Sequence, residues 1–268
     1  MPSKQLIVNA DDYGLCGEIS HGILDAHATG IVTAVSVVSV GDYFKQGSID
    51  LKNSGVDVGL HLTFVGNEKS LTGPIRGLTD AKGRFLKDKT QVIPRIVLNR
   101  YDRAALEKEL YTQAQRLADA GFIITHIDSH QHLHLLPGLT QIVIGIAKRF
   151  SIPWIRIPRS KVWDVKGSGL NILGHRLRRL AAHFGLRATD HSLGFDHSGH
   201  IDPDILMGML NDLLPGISEL IMHPGLDASH LYDWGFDWQN ELVALTSNAV
   251  KERIKRFGIQ LTNYNDNP

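Results

Sequence analysis

The sequence predicts an α/β fold: a single-domain (β/α) barrel, distorted or seven-stranded, with parallel strands inside and helices outside. Three observations predict it. Short β-branched runs alternate with amphipathic helical stretches along the chain, the pattern of parallel strands joined by crossover helices. The alternation recurs about seven times, which favours a barrel over an open sheet. Of the 268 residues, 43% are apolar and 21% charged, enough to bury one large core.

The elements follow in order. Leu6-Ile-Val-Asn-Ala10 reads as a buried strand, and residues 17–28 as a helix closed by Gly30. Ile31 to Val40 and Val56 to Leu62 read as the second and third strands. Residues 64–100 are irregular, because Gly66, Gly73, Pro74, Gly77 and Gly83 break any period. Connections of that length are often lids or binding loops. Residues 102–120 carry Leu106, Leu110 and Leu117 in a charged background, a surface helix ending at Gly121. Phe122 to Asp128 is a strand, 139–150 a helix, Trp154 to Ile157 a strand, and 171–184 a helix. A short strand near 187, a helix at 203–213, a strand from Glu219 to Met222, a helix at 239–256 and a last strand near 258–262 complete the chain. No fixed-period repeat or linker divides it. Residues 1–268 are therefore expected to form one domain with an irregular insertion at about 64–100.

Composition narrows the function classes. Lys plus Arg and Asp plus Glu number 28 each, so no net charge favours nucleic acid or an anionic membrane. No apolar run approaches the roughly 20 residues of a bilayer span, so no integral membrane segment is expected. Met1-Pro-Ser-Lys-Gln leads straight into the first strand without a signal-peptide core, and the single Cys16 cannot form an internal disulfide. A cytoplasmic protein acting on a small molecule is expected, with self-association into a homo-oligomer left open. The outlier is histidine, 14 in all and clustered, as a metal site or acid–base chemistry requires.

In such folds, polar residues at the C-terminal ends of strands share one pocket. Four strand ends qualify: Asn9-Ala-Asp11-Asp12-Tyr-Gly14, Gly59-Leu-His61-Leu, Thr125-His-Ile-Asp128-Ser-His130-Gln-His132-Leu-His134, and His223-Pro-Gly225. Taken singly, each has a bland reading: Asp is a common helix cap, and a lone strand histidine is usually a satisfied core or surface group. Taken together, they converge as ligands of one divalent metal do. Asp11 and Asp12 are adjacent and point to opposite sides of extended backbone. One can bind the metal only if the loop turns the other to a different role, and Gly14 offers the backbone freedom for that turn. Imidazoles and a carboxylate around an open coordination position match catalytic divalent sites. Zn²⁺ suits the imidazoles, while Mg²⁺, Mn²⁺ and Co²⁺ remain compatible. A second carboxylate that takes a proton from water, and a histidine that protonates a leaving group, would complete hydrolysis of an amide or ester.

The four motifs, in this order and over about residues 5–262, resemble the YdjC-like carbohydrate deacetylase family. The Ser-His-Gln-His-Leu-His-Leu-Leu-Pro stretch carries most of the specificity. The resemblance implies a (β/α) barrel without full eightfold regularity, one divalent metal (Mg²⁺ by resemblance), and removal of acetyl groups from N-acetylated sugars or glycolipids. It places the metal on Asp12, His61 and His130, makes Asp11 the general base, and makes His223 a candidate acid. His132 and His134 match the motif as supporting or substrate-facing residues, and Arg156 is a strand-end cation of the same kind. Two positions depart from the pattern: Tyr13 stands where Phe is more usual, and Cys16 where Ser is expected.

Two other classes compete. One is a metal-dependent hydrolase of a phosphoester or cyclic amide, which would more naturally show a second metal cluster or a basic phosphate cradle. The other is a non-catalytic sugar-binding or regulatory protein, which would need the ligands but not both Asp11 and His223. Trp154, Trp163, Trp234 and Trp238 offer sugar-stacking faces, although aromatics as sparse as 7% are usually core.

Overall fold

The structure is a computed structural model and describes residues 3–267. Seven parallel strands stand side by side in chain order: β1 (Lys4–Tyr13), β2 (Ala34–Val37), β3 (Asp57–Leu62), β4 (His126–Ser129), β5 (Trp154–Ile155), β6 (His191–Leu193) and β7 (Gly216–Met222). β1 pairs with β2 on one side and β7 on the other. The ends of the row meet through one residue. Arg187 bridges Trp154 in parallel, its N–H donating to the Pro153 carbonyl and its carbonyl accepting from the Ile155 N–H. That contact curls the sheet into a distorted barrel of seven strands. An eighth, β8 (Ile259–Thr262), lies along the start of β1. β1 is buried from Leu6 to Tyr13, the continuous burial of a strand covered on both faces.

The helices Gly17–Thr29, Arg103–Asp119, Pro137–Arg149 and Pro203–Asn211 fall close to their expected places. Five differences stand out, and the first three have local causes. The helix Phe44–Ser54 has too few apolar positions to show a period: Phe44 and Leu51 are buried, but Ile49 is 66% exposed. The helix expected at 239–256 is two, Trp238–Thr246 and Asn248–Arg256, because Ser247 between them is extended (φ −58°, ψ 128°). The helix expected at 171–184 begins earlier, at Val165, where the Asp164 carboxylate caps it by accepting from the Gly167 N–H. Only a single bridge stands near 187, and the strand lies at His191–Leu193. The strand expected over Ile31–Val40 keeps its ladder only at Ala34–Val37. Cys16 does take the cap position of the first helix, without a side-chain bond. Ser20 Oγ instead accepts from the Gly14 N–H and donates to the Cys16 carbonyl.

The 64–100 segment is not the irregular stretch its glycines suggest. Asp88 caps a helix, Lys89–Val97, by accepting from the Thr90 N–H, and Pro94 sits inside that helix. Antiparallel bridges join Lys69 to Arg84 and Thr79 to Phe85, and Phe64, Val65, Ile75, Leu78, Phe85 and Val92 are buried. A buried carboxylate ties the segment to the barrel. Glu109 accepts from Ser70 Oγ (2.9 Å), Leu71 N–H (3.1 Å), and both N–H and Oγ1 of Thr72 (2.8 Å each). Glu109→Ala leaves Leu71 N–H and Thr72 Oγ1 without an acceptor and is expected to cost about 1–3 kcal/mol, loosening 64–100 before the barrel. Hydrogen exchange reads this directly. Unchanged protection across 69–72 would show that apolar packing alone holds the segment.

Candidate active site

The two adjacent aspartates reach one cavity because β1 bulges. Its ladder with β2 pairs Asn9 with Ala34 and Ala10 with Val35, then skips to Tyr13 and Val37. Asp11 and Asp12 therefore stand opposite one residue, Ser36, and Asp12 takes a left-handed conformation (φ +74°). Aspartate tolerates that region better than most residues, and bulges of this kind re-aim side chains. The turn lies at Asp12 itself, two residues before the glycine expected to supply it.

Asp12 Oδ1 is 2.9 Å from His130 Nδ1 and 3.4 Å from His61 Nε2. The other nitrogen of His61, Nδ1, is 2.7 Å from Asp128 Oδ1. An ionised carboxylate can only accept, so His61 Nδ1–H donates to Asp128, which turns Nε2 toward Asp12. A carboxylate behind a histidine is the usual support of a metal ligand. The register that pairs His61 with Asp128 across β3 and β4 makes it possible here. His130 leaves β4 in a tight turn in which Gln131 and His132 are left-handed (φ +56° and +57°), and this aims its ring back at Asp12.

Arg156 is buried among carboxylates. Its guanidinium holds Asp11 through two bonds, Nη1 to Oδ2 (2.6 Å) and Nη2 to Oδ1 (2.7 Å), donates from Nε to Glu219 Oε1 (2.6 Å), and contacts Asp128 Oδ2 through Nη1. Asn9 Nδ2 donates to Asp11 Oδ1 (2.7 Å), and Ser36 Oγ to Asp128 Oδ2 (2.9 Å). Three carboxylates thus share one arginine, and the surplus negative charge is buried. The titration directions agree. Burial opposes the charge on Asp12, yet His130 and His61 hold its carboxyl well below the usual range. Burial likewise opposes a charged His61, but Asp128, Asp11 and Asp12 pull it up to about 9. The site attracts a cation.

Two trios can gather around an ion, Asp12–His61–His130 and Asp11–His61–Asp128. Arg156 and the His61 N–H already occupy the carboxylates of the second. The first keeps two imidazole nitrogens and one carboxylate oxygen converging on one point, and these donors fit a divalent metal.

The remaining expected residues divide. His223 joins the site: its Nε2 is 4.0 Å from Asp11 Oδ2 and its Nδ1 3.5 Å from Ser198 Oγ. Burial lowers its pKa against the pull of Asp11 and Asp12. His132 lines the same cavity beside Phe195, and its Nδ1 lacks a partner. His134 does not reach the cavity. Its two ring nitrogens bond Ser129 Oγ (2.9 Å) and the Arg156 carbonyl (3.0 Å), and burial pushes it down to about 4. Arg156, 1% exposed, has no face for substrate. Of the tryptophans, Trp154 and Trp238 are core, Trp163 is exposed, and Trp234 stands 5.0 Å from the His130 ring. The cavity measures about 660 Å³, within the range of small-molecule sites. Lys89, Thr90 and Ile93 of the 64–100 segment form part of its wall.

The sequence profile of the YdjC-like protein family matches residues 5–256. The chain belongs to that family. Among curated relatives, the carbohydrate deacetylase of Brevibacillus brevis is 29% identical over 271 residues, covering 98% of this chain and 99% of its own. The chitooligosaccharide deacetylase of Yersinia enterocolitica is 28% identical over 270 residues, covering 98% and 99%. A solved structure from Enterococcus faecalis V583, of a protein named for cellobiose-phosphate cleavage, superposes with a TM-score of 0.79 at 24% identity, covering 98% of each chain; it shows the same fold.

In this YdjC-like chain, motif reading missed the residues that hold the ligands in place. Asp128 and Asn9 stood in the quoted motifs but were given no role, and Ser36 and Glu219 carried no signal. Asn9 holds Asp11 on its own strand, but the others act through a neighbouring strand, and strand register is not written in local sequence. His126 also went unassigned. It is a core group stacked 4.0 Å from Tyr264, and burial pushes it down to about 4.

Proposed function

We propose that this YdjC-like protein is a metal-dependent deacetylase that removes the acetyl group from an N-acetylated sugar, oligosaccharide or glycolipid. The observation that carries the reading is the convergence of Asp12 Oδ1, His61 Nε2 and His130 Nδ1 beside Asp11 and His223, in the lining of one cavity. A divalent cation held by Asp12, His61 and His130 would supply polarisation of the acetamide carbonyl and a lowered pKa for water. The two imidazoles favour Zn²⁺ or Co²⁺ over Mg²⁺. Asp11 accepts the proton of the attacking water. Its Oδ2, which accepts one bond from Arg156, keeps a free lone pair, while Arg156 and Asn9 fix its plane. His223, across from it, delivers a proton to the departing nitrogen. The C–N bond breaks, and acetate and the sugar amine leave. The names of the Brevibacillus and Yersinia relatives support the acetylated saccharide as the substrate class.

The same reading takes residues 1–268 as one deacetylase domain. Among the described residues, no helix is long and apolar enough to cross a membrane. A cytoplasmic setting is supported by Cys16, a lone buried thiol of the kind common in reducing compartments. Phosphoester hydrolysis is less well supported, because the guanidinium of Arg156 is committed to carboxylates.

Acetate release from N-acetylglucosamine oligomers and acetylated glycolipids, with and without chelator, tests the proposal. Release that a chelator stops and added Zn²⁺ or Co²⁺ restores is expected. Release indifferent to chelator would contradict it. The ligands are tested by metal content. His61→Ala and His130→Ala are each expected to lower bound metal about 10- to 100-fold or more, while His134→Ala keeps the metal it still folds to hold. Full retention in both ligand variants would remove the site as drawn.

A further inference from the structure

We propose that a second cavity beside the candidate metal centre holds the sugar unit next to the reacting one, and that Glu68 is the residue that recognises it. The proposal rests on the deacetylase reading. The cavity measures about 690 Å³ and is edged by Tyr43, Asn67, Glu68, Lys69, Tyr232 and Trp234. It is as roomy as the first cavity, and the reaction proposed above does not use it.

Two independent features point to a sugar. The first is an aromatic surface that leads from the metal ligands into the cavity. Trp234 lies 5.0 Å from His130 and 4.6 Å from Tyr232. Aromatic rings that join an apolar face to a polar tip suit ligands with both characters, and a pyranose has apolar C–H faces and a rim of hydroxyls. The second is Glu68. Its Oε2 is enclosed and has no hydrogen-bond partner. A Cβ placed on Gly66 would fall 2.6 Å from that oxygen and 3.5 Å from the His130 ring, so the carboxylate stands in the wall between the two cavities. A buried acceptor left unpaired is costly, and a ligand hydroxyl supplies the missing donor. Of the neighbouring cations, Lys87 pairs with Asp233 at 2.7 Å and Arg84 donates to the Asn67 carbonyl at 3.1 Å, and Lys69 stands among the acidic Asp42 and Glu68. The cavity is therefore better suited to hydroxyls than to an anion.

The test compares N-acetylglucosamine with its disaccharide on metal-loaded wild-type and Glu68→Gln protein. Metal content is measured in parallel, and binding of the deacetylated glucosamine disaccharide is followed by calorimetry. At pH 8, above the value of about 7 to which burial raises the Glu68 carboxyl, the preference for the disaccharide in kcat/KM is expected to fall about 10- to 100-fold, mainly through KM, as loss of a hydrogen bond to a charged group does. Calorimetry should show the same weakening, with metal content unchanged. Equal losses on both substrates would overturn the proposal. Metal lost from Glu68→Gln would also overturn it, because Glu68 would then serve His130. If wild-type protein releases acetate from neither sugar, the deacetylase reading fails by itself, and calorimetry still decides the cavity. Weaker disaccharide binding in Glu68→Gln supports it, and unchanged or absent binding overturns it.

Discussion

Arg156→Met is expected to destabilise the protein by about 3–5 kcal/mol, the usual cost of removing one partner from a buried ionic group. Methionine fills much of the same volume, so the loss reports charge more than packing. Asp11, Asp128 and Glu219 would be left buried around an apolar side chain, each short of at least one donor. Arg156→Lys should recover part of the loss, because an ammonium restores the charge but cannot form the two-bond clamp on Asp11. Urea unfolding at neutral pH gives the number. A loss below about 1 kcal/mol, the range of surface pairs, would mean that the carboxylates are held by other contacts.

Asp11→Asn is expected to lower the rate of acetate release by about 10²–10⁴, the usual contribution of a positioned proton transfer, with metal retained. Some stability should go as well. Both Asp11 oxygens accept bonds from Arg156, and Asn9 adds a third to Oδ1. The amide of asparagine must therefore turn a donor toward a donor, at about 1–3 kcal/mol. Rates should be read well below the melting temperature for that reason. Loss of metal together with activity would reverse the roles of Asp11 and Asp12. Loss of rate with metal intact would confirm the assignment.

The difference between these two residues shows how far the sequence could be read. That His61, His130, His223 and the aspartate pair gather at one end of the barrel was legible, because each ends an apolar strand and parallel strands present their ends together. The conflict between two adjacent aspartates was legible too. Its resolution was not, since the bulge and the left-handed Asp12 depend on how β1 pairs with β2. Asp128 illustrates the same limit. It becomes the partner of His61 only through a register between strands 67 residues apart in sequence. The 64–100 segment failed for another reason. Its glycines and Pro74 read as breakers, while the Glu109 anchor that orders residues 70–72 sits far downstream in an unremarkable helix. Arg156 lay between these cases: its place at a strand end was visible, but its three carboxylate partners were not.

The central claim is that Asp12, His61 and His130 hold a divalent cation, while Arg156 fills the neighbouring trio. Anomalous scattering from crystals grown with Zn²⁺ tests it most directly. The account predicts one peak about 2.0–2.2 Å from Asp12 Oδ1, His61 Nε2 and His130 Nδ1, the bond lengths of zinc to carboxylate and imidazole. His61 Nδ1 should still face Asp128, and the Arg156 clamp on Asp11 should be unbroken. A peak among Asp11, His61 Nδ1 and Asp128, with Arg156 displaced, would contradict it.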